Sequence, residues 1–160
     1  MDLLISFPWG RFNQARHEAV RILKRLGDDQ PHIEKTAVDG IAVAHTSLDN
    51  REVITQCHEL LRNSEEEFNF TLKWLPVDYW CETNLDAMKQ VIEEKVLSRI
   101  PPTECWAMKV KKRRWQHYHT ADIVAYLAPG IDRKVNLNNP DKIVWIDVIG
   151  HNTAIAVLTP

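Results

Sequence analysis

The chain has 160 residues, 44% of them hydrophobic and 26% charged, and its 20 Lys and Arg against 22 Asp and Glu give a formal net charge of −2. That length holds one large domain or two small ones with ordinary cores, and the composition excludes wholesale disorder and a simple polybasic tail. No apolar run approaches the roughly 18 residues that cross a bilayer, and the Met1–Pro8 segment is too short and too acidic at its start for a signal peptide.

The first apolar run, Leu3–Phe7, has strand length. Phe12, Ala15, Ala19, Ile22, Leu23 and Leu26 follow at helical spacing, and Gly27 is placed to end the helix. His32–Val38 and Ile41–Thr46 flank Asp39-Gly40, which predicts a hairpin closed by a type I′ turn with positive φ at both central residues. Asp49 and Glu52 form a variant capping box ahead of the stripe Val53, Ile54, Cys57, Leu60 and Leu61. Glu65-Glu66-Glu67 reads as a solvated connector. Phe68–Trp74 alternates as a strand, with Phe68, Phe70 and Leu72 on one face and Asn69, Thr71 and Lys73 on the other. This order, β-α-β-β-α-β in about 75 residues, is the split βαβ or ferredoxin-like arrangement, which hosts many unrelated functions.

Leu75-Pro76-Val77-Asp78 breaks the pattern and reads as the passage to a second unit, giving expected units of 1–80 and 81–160. Thr83 and Asp86 are spaced as an N-cap and a first-turn acid for a helix with Leu85, Met88, Val91, Ile92 and Val96 on its apolar face, and Pro101-Pro102 prevents its continuation. Cys105–Lys111 is the next expected strand, followed by a short helix over Thr120–Leu127 that Pro129-Gly130 stops. Strands are expected at Lys134–Leu137, Lys142–Ile149 and Thr153–Leu158, the last two joined by Gly150-His151-Asn152 and rich in β-branched residues. The expected class is α+β. Cys57, Cys81 and Cys105, odd in number and in no C-x-x-C pair, read as reduced thiols of a cytoplasmic chain, with neither a disulfide framework nor a zinc site.

The near-neutral total hides an asymmetry: residues 1–80 carry 9 Lys and Arg against 13 Asp and Glu, and residues 105–160 carry 8 against 4. The densest feature is Lys109-Val110-Lys111-Lys112-Arg113-Arg114-Trp115-Gln116-His117-Tyr118-His119, five cations and two imidazoles within eleven residues. On a strand, Trp106, Met108 and Val110 share one face while Lys109 and Lys111 share the other, so charge is delivered to one side. Such a patch binds phosphates through a salt-sensitive, sequence-independent term, and Trp115 and Tyr118 are placed to stack on unpaired bases. The competing reading is a solvated edge strand guarded by cations.

An enzymatic pattern stands beside it. His45-Thr46-Ser47 and His151-Asn152-Thr153 each match H-x-[S/T], the paired motif of two-histidine phosphoesterases acting on RNA termini, where two imidazoles serve as acid and base. With 13 Ser and Thr in 160 residues, 7 His give about 0.6 matches by chance, so two is a mild excess. His117 and His119 lack the further Cys or acidic ligands a metal needs, and no P-loop, G-x-G-x-x-G, G-x-S-x-G or H-E-x-x-H is present.

The helix after Thr83, the Pro-interrupted loop, the strand Cys105-Trp106-Ala107-Met108-Lys109-Val110 running into basic residues, the short helix, then Lys134-Val135-Asn136-Leu137-Asn138-Asn139-Pro140-Asp141 and Ile143-Val144-Trp145-Ile146-Asp147-Val148 follow one another in a recognisable order. Over Thr83–Leu158 this resembles a THUMP domain, the Pro140-Asp141 pair being its most specific match. The preceding ferredoxin-like unit is similar to the partner domain that accompanies THUMP domains. The resemblance implies a non-catalytic tRNA-binding module that engages the acceptor region near the 3′ end and delivers tRNA to a catalytic domain. With the chain closing at Pro160, it implies a stand-alone adaptor assisting a separate tRNA cytidine acetyltransferase that forms N4-acetylcytidine. A THUMP-containing fragment of another tRNA-modifying enzyme is the alternative. The long basic extensions of some members are missing here. Phosphate contacts are then expected from Lys109, Lys111, Lys112, Arg113 and Arg114, with His117 and His119 as accessory donors and Trp115 beside them. Lys134 and Lys142 join them if the final strands pair as in the family. No catalytic residue, metal, cofactor or membrane contact is implied.

Overall fold

In the computed structural model, which describes residues 1–160, the chain divides between Val77 and Asp78. The expected boundary at 80/81 therefore moves three residues earlier, because Tyr79–Glu82 is a strand of the second sheet.

The first unit runs β1 (Asp2–Ser6), α1 (Phe12–Arg25), β2 (His32–Lys35), β3 (Ile41–His45), α2 (Asn50–Asn63) and β4 (Lys73–Val77). Its sheet has the order β2-β3-β1-β4 with every neighbour antiparallel, which is two interleaved split βαβ units. Leu3 and Ile5 of β1 and Ala42 and Ala44 of β3 point to the face where Ala15, Ala19, Ile22 and Leu23 of α1 and Val53 and Cys57 of α2 pack. At the start of α2 the Asp49 side chain accepts the Glu52 N–H, satisfying one of the donors that every helix start leaves over. Gly27, at φ +115, ends α1. The β2–β3 connection contains Asp39-Gly40 but is longer than a two-residue turn. β2 ends at Lys35, paired with Ala42, and the Thr36 hydroxyl spans the loop by donating to Ile41 O at 2.8 Å.

The fourth strand lies later than its alternation predicts. Phe68 and Phe70 pack against the core from a loop, Leu72 is 69% exposed, and the strand is Lys73–Val77. The cause is Glu18 of α1, which is 4% exposed. Its carboxylate accepts the backbone N–H groups of Asn69 (2.6 Å), Phe70 (3.0 Å) and Thr71 (2.6 Å), and the Thr71 hydroxyl at 2.6 Å. Those donors are therefore spent on a helix side chain and not on a strand ladder. Pro76, read from sequence as a break, is tolerated because β4 is an edge strand and needs no donor on its open side.

The second unit runs β5 (Tyr79–Glu82), α3 (Leu85–Val91), β6 (Cys105–Arg113), α4 (Thr120–Leu127), β7 (Lys134–Val135), β8 (Lys142–Ile149) and β9 (Asn152–Leu158). α3 passes into a π turn at Ile92–Val96 and a 3-10 turn at Leu97–Arg99 before Pro101. Its N-cap is Asn84, whose side chain accepts the Ala87 N–H at 2.7 Å; Thr83, the expected cap, instead meets the Thr153 hydroxyl at 2.9 Å. The sheet order is β5-β9-β8-β6-β7, with β6 parallel to both β8 and β7 and the other pairs antiparallel. Met88, Ile92, Val96, Ile123 and Leu127 cover one face, over Trp106, Val144, Ile146, Val148 and Ile155. No helix in either unit is long and apolar enough to cross a membrane.

Replacing Glu18 with Ala leaves three backbone donors without their acceptor. Denaturant unfolding of the E18A variant should show a loss of about 2–4 kcal/mol, with E18Q losing less because an amide oxygen still accepts.

Candidate nucleic-acid interface

The basic run is split by the pleat. Trp106, Met108 and Val110 of β6 face the helices, and the same period turns Lys112 that way. Lys109 and Lys111 lie exposed on the opposite face, in register with Trp145 and Asp147 of β8. The Lys111 Nζ lies 5.6 Å from the centre of the Trp145 ring, a cation–π distance that sets an aromatic surface beside the two ammonium groups. The sequence reading placed Lys109 and Lys111 but missed Trp145, which only the β6–β8 register brings to them.

The structure places the remaining expected residues, Arg113, Lys112, Trp115, Lys134 and Lys142, as follows. Arg113 pairs with Asp147, a carboxylate 3% exposed that also accepts the Trp145 indole N–H at 3.3 Å, so its charge is already committed inside the unit. The Lys112 Nζ, half-buried, turns back to the carbonyl of Trp115 at 3.4 Å and holds the loop. Trp115 is 9% exposed and belongs to the core; Tyr118 meets its ring edge-on at 5.5 Å, so the indole is a packing residue and not a free stacking platform. Lys134 and Lys142 pair with Cys105 and Trp106 at the start of β6, about 13 Å and 10 Å along the strand from Lys109 at about 3.3 Å per residue. Lys142 is also bound to Glu104 at 2.8 Å.

What the turn does present is Arg114, His117, Tyr118 and His119, all exposed between β6 and α4. Arg114 takes φ +59, the only non-glycine residue of the chain with positive φ. A left-handed backbone costs an L-residue about 1–2 kcal/mol. Here it turns the chain out of β6 while Gly150 N–H caps the Arg113 carbonyl at 3.0 Å. The accessible set is therefore Lys109, Lys111, Arg114, His117 and His119, with Tyr118 and Trp145 as its aromatics.

The Pro140-Asp141 pair has a structural role. The Asp141 carboxylate accepts the Cys105 N–H at 2.9 Å and the thiol at 3.3 Å, and those donors, the backbone one foremost, hold its pKa below the ordinary carboxylate value. It fastens the β7–β8 loop to the first residue of β6. Cys57 and Cys81 are pushed up to about 11, burial being the main cause, which suppresses the thiolate.

The two histidines of the phosphoesterase pattern lie on different units. His45 has both ring nitrogens occupied: Nε2 meets Glu34 at 3.0 Å and Nδ1 meets Asp2 at 2.8 Å, with His32 stacked on it at 5.7 Å. Both ring nitrogens of this imidazole therefore meet carboxylates in the folded unit. No group of three or more His, Cys, Asp or Glu side chains is arranged to hold a metal ion.

No family model matches the chain. It is 28% identical over 143 residues to the uncharacterized protein MJ0421 of Methanocaldococcus jannaschii, a match covering 86% of this chain and 36% of that protein, so the chain spans about a third of the relative's length. Among solved structures it is similar to PH1313 from Pyrococcus horikoshii Ot3, with TM-score 0.67, 12% identity, and coverage of 98% of this chain and 54% of that one. It is also similar to TrmN from Thermus thermophilus, with TM-score 0.63, 12% identity, and coverage of 100% and 46%. A possible methylase from Clostridium difficile 630 gives TM-score 0.61 and 15% identity, with coverage of 98% and 40%. At these identities the likeness establishes the α+β fold. The chain spans about half the length of these structures or less.

Two outcomes follow from the geometry. Arg114→Gly removes the left-handed penalty against a smaller gain in unfolded-chain entropy, so unfolding experiments should show a net stabilisation of about 0.5–1 kcal/mol. The second concerns His45, whose pKa is raised, chiefly by Glu34 at Nε2, against partial burial, with Asp2 adding to the rise. A raised folded-state value means the contribution is full below the unfolded value of about 6.5 and is lost as pH rises through the folded value. Because His45 and Glu34 are substantially exposed, solvent screening limits it to less than about 1 kcal/mol. Thermal unfolding of wild type and His45→Gln from pH ~5 to ~9 should show a gap that closes on the alkaline side.

Proposed function

We propose that the second unit is a THUMP-like RNA-binding module, and that the chain binds tRNA near the 3′ end of its acceptor region and presents it to a modification enzyme. The observation that carries this reading is the exposed set Lys109, Lys111 and Arg114, free of carboxylate pairing, beside Trp145 and the exposed His117–His119 segment. An exposed row of cations with aromatic surface nearby suits a nucleic-acid backbone, where affinity comes from displaced counterions and needs no deep pocket. The fold shared with TrmN and with a possible methylase supports a link to modification chemistry. In this role the chain contributes binding and orientation, and the reacting groups belong to the enzyme. The finer reading is an adaptor to a tRNA cytidine acetyltransferase. The chain spans only 36% to 54% of the first relatives it matches, which favours a second reading: the same module within a longer tRNA-modifying protein that carries its own enzyme.

Fluorescence anisotropy with a tRNA transcript tests the core of this. Lys109→Ala with Lys111→Ala should weaken binding by at least about tenfold near 0.1 M salt and lower the slope of log K against log salt by about one per removed cation. Unchanged affinity and slope in that double variant would falsify the assignment.

A further inference from the structure

We infer that α1 of the first unit presents a second RNA-backbone contact surface, made by Arg16, His17 and Lys24. This rests on the reading of the chain as an RNA binder and extends it to the unit whose total charge argues against one. Five of the nine Lys and Arg in residues 1–80 fall within residues 11–25, where Glu18 is the one acidic side chain. The net −4 of that half therefore conceals a cationic helix.

Packing decides which way those charges point. Ala15, Ala19, Ile22 and Leu23 bury against the sheet, and at 3.6 residues per turn this rotates Arg16, His17 and Lys24 into solvent. Of the acids nearest this face, Glu65 and Glu66 stand exposed beside Glu67, while Glu18 and Glu67 are engaged elsewhere. Glu18 is buried, and its oxygens are taken by the 69–71 backbone and the Thr71 hydroxyl. Glu67 is taken by Arg21 and Arg25. Arg16 and Lys24 have no carboxylate partner, and eight residues of helix set them about 12 Å apart along its axis. Between them the surface is a shallow depression, bounded by His17, Val20 and Arg21. It continues past His17 into a groove lined by the amide side chains of Asn13, Gln14 and Asn69, by Phe70 and by Glu18, whose carboxylate is taken by the 69–71 backbone.

The chemistry of this surface selects its partner. Stable protein interfaces are anchored by large aromatic or aliphatic side chains, and the apolar side chains lining this surface, Val20 and Phe70, are both half-buried in their own unit. A sugar-phosphate strand needs no such anchor. It needs separated cations for phosphates and neutral donors and acceptors for ribose hydroxyls, which guanidinium, ammonium, imidazole and amide groups supply here.

The test uses the full chain and a tRNA transcript, with anisotropy measured across about 50–200 mM salt. Arg16→Ala with Lys24→Ala should weaken binding roughly tenfold and lower the salt slope by about two, while Arg16→Lys with Lys24→Arg binds like wild type. Combining the Ala pair with Lys109→Ala and Lys111→Ala should lower the salt slope by about four, the sum of the two pairs. Wild-type affinity and slope in the α1 pair, with a loss in the β6 pair, overturns the inference and leaves the RNA reading standing. No loss in either pair removes both. A weaker complex with an unchanged slope also overturns it, because the loss then comes from packing. Acylation of Lys24 by an amine-reactive ester gives a second readout on the unaltered protein, and tRNA should protect it. Lys24 labelled equally with and without tRNA, or protected by a polyglutamate peptide but not by tRNA, sinks the proposal.

Discussion

The parallel pairing of β6 with β8 governs what the second unit offers to a partner. Lys109 opposite Trp145 and Lys111 opposite Asp147 put two ammonium groups and an indole on one face, while Val110 opposite Ile146 and Lys112 opposite Val148 lie on the other. Side chains alternate with a period of two, so a slip of one residue would carry Lys109 and Lys111 into the apolar layer beneath α3 and α4. The register is held at both ends. At one end Asp141 accepts the Cys105 N–H, and at the other Gly150 N–H meets the Arg113 carbonyl. Arg113 and Asp147 add an ion pair across the same two strands.

Several carboxylates in this protein serve the backbone and the internal cations, and that separates formal charge from presented charge. Glu18 holds the approach to β4, Asp141 holds the start of β6, and Asp147 holds Arg113. Asp28, nearly buried, accepts the Thr46 hydroxyl at 2.6 Å and the Ser47 N–H at 3.2 Å, and these bonds outweigh its desolvation and keep its pKa low. An acid engaged in this way contributes little repulsion to a phosphate approaching elsewhere, because its field is compensated locally. A net charge of −2 is thus compatible with exposed cationic rows in both units.

Much of the architecture was legible in the chain. The α1 stripe, the Asp49 cap, the Thr120–Leu127 helix and the closing hairpin follow from periodicity and punctuation, which act over a few residues. The misplaced fourth strand shows the limit. Phe68, Phe70 and Leu72 alternate as a strand should, yet a carboxylate some fifty positions earlier claims the backbone donors there. Nothing local to 68–74 carries that information. Strand β5 was missed for a similar reason: Tyr79–Glu82 is only four residues long and exists through its pairing with β9.

The candidate interface divides in the same way. Sequence alone determined that cations and aromatics concentrate between Lys109 and His119, and that Lys109 and Lys111 share a face, because strand geometry makes the period certain once the strand is assumed. Only tertiary structure decided which of those charges remain available. It paired Arg113 with Asp147, turned Lys112 back onto its own loop, sank Trp115 into the core and carried Lys134 and Lys142 to the other end of β6. The physical reason is range. Periodicity and turn chemistry are settled by neighbours within a turn of chain, whereas the availability of a charge or a ring depends on what distant segments bring to within about 4 Å of it.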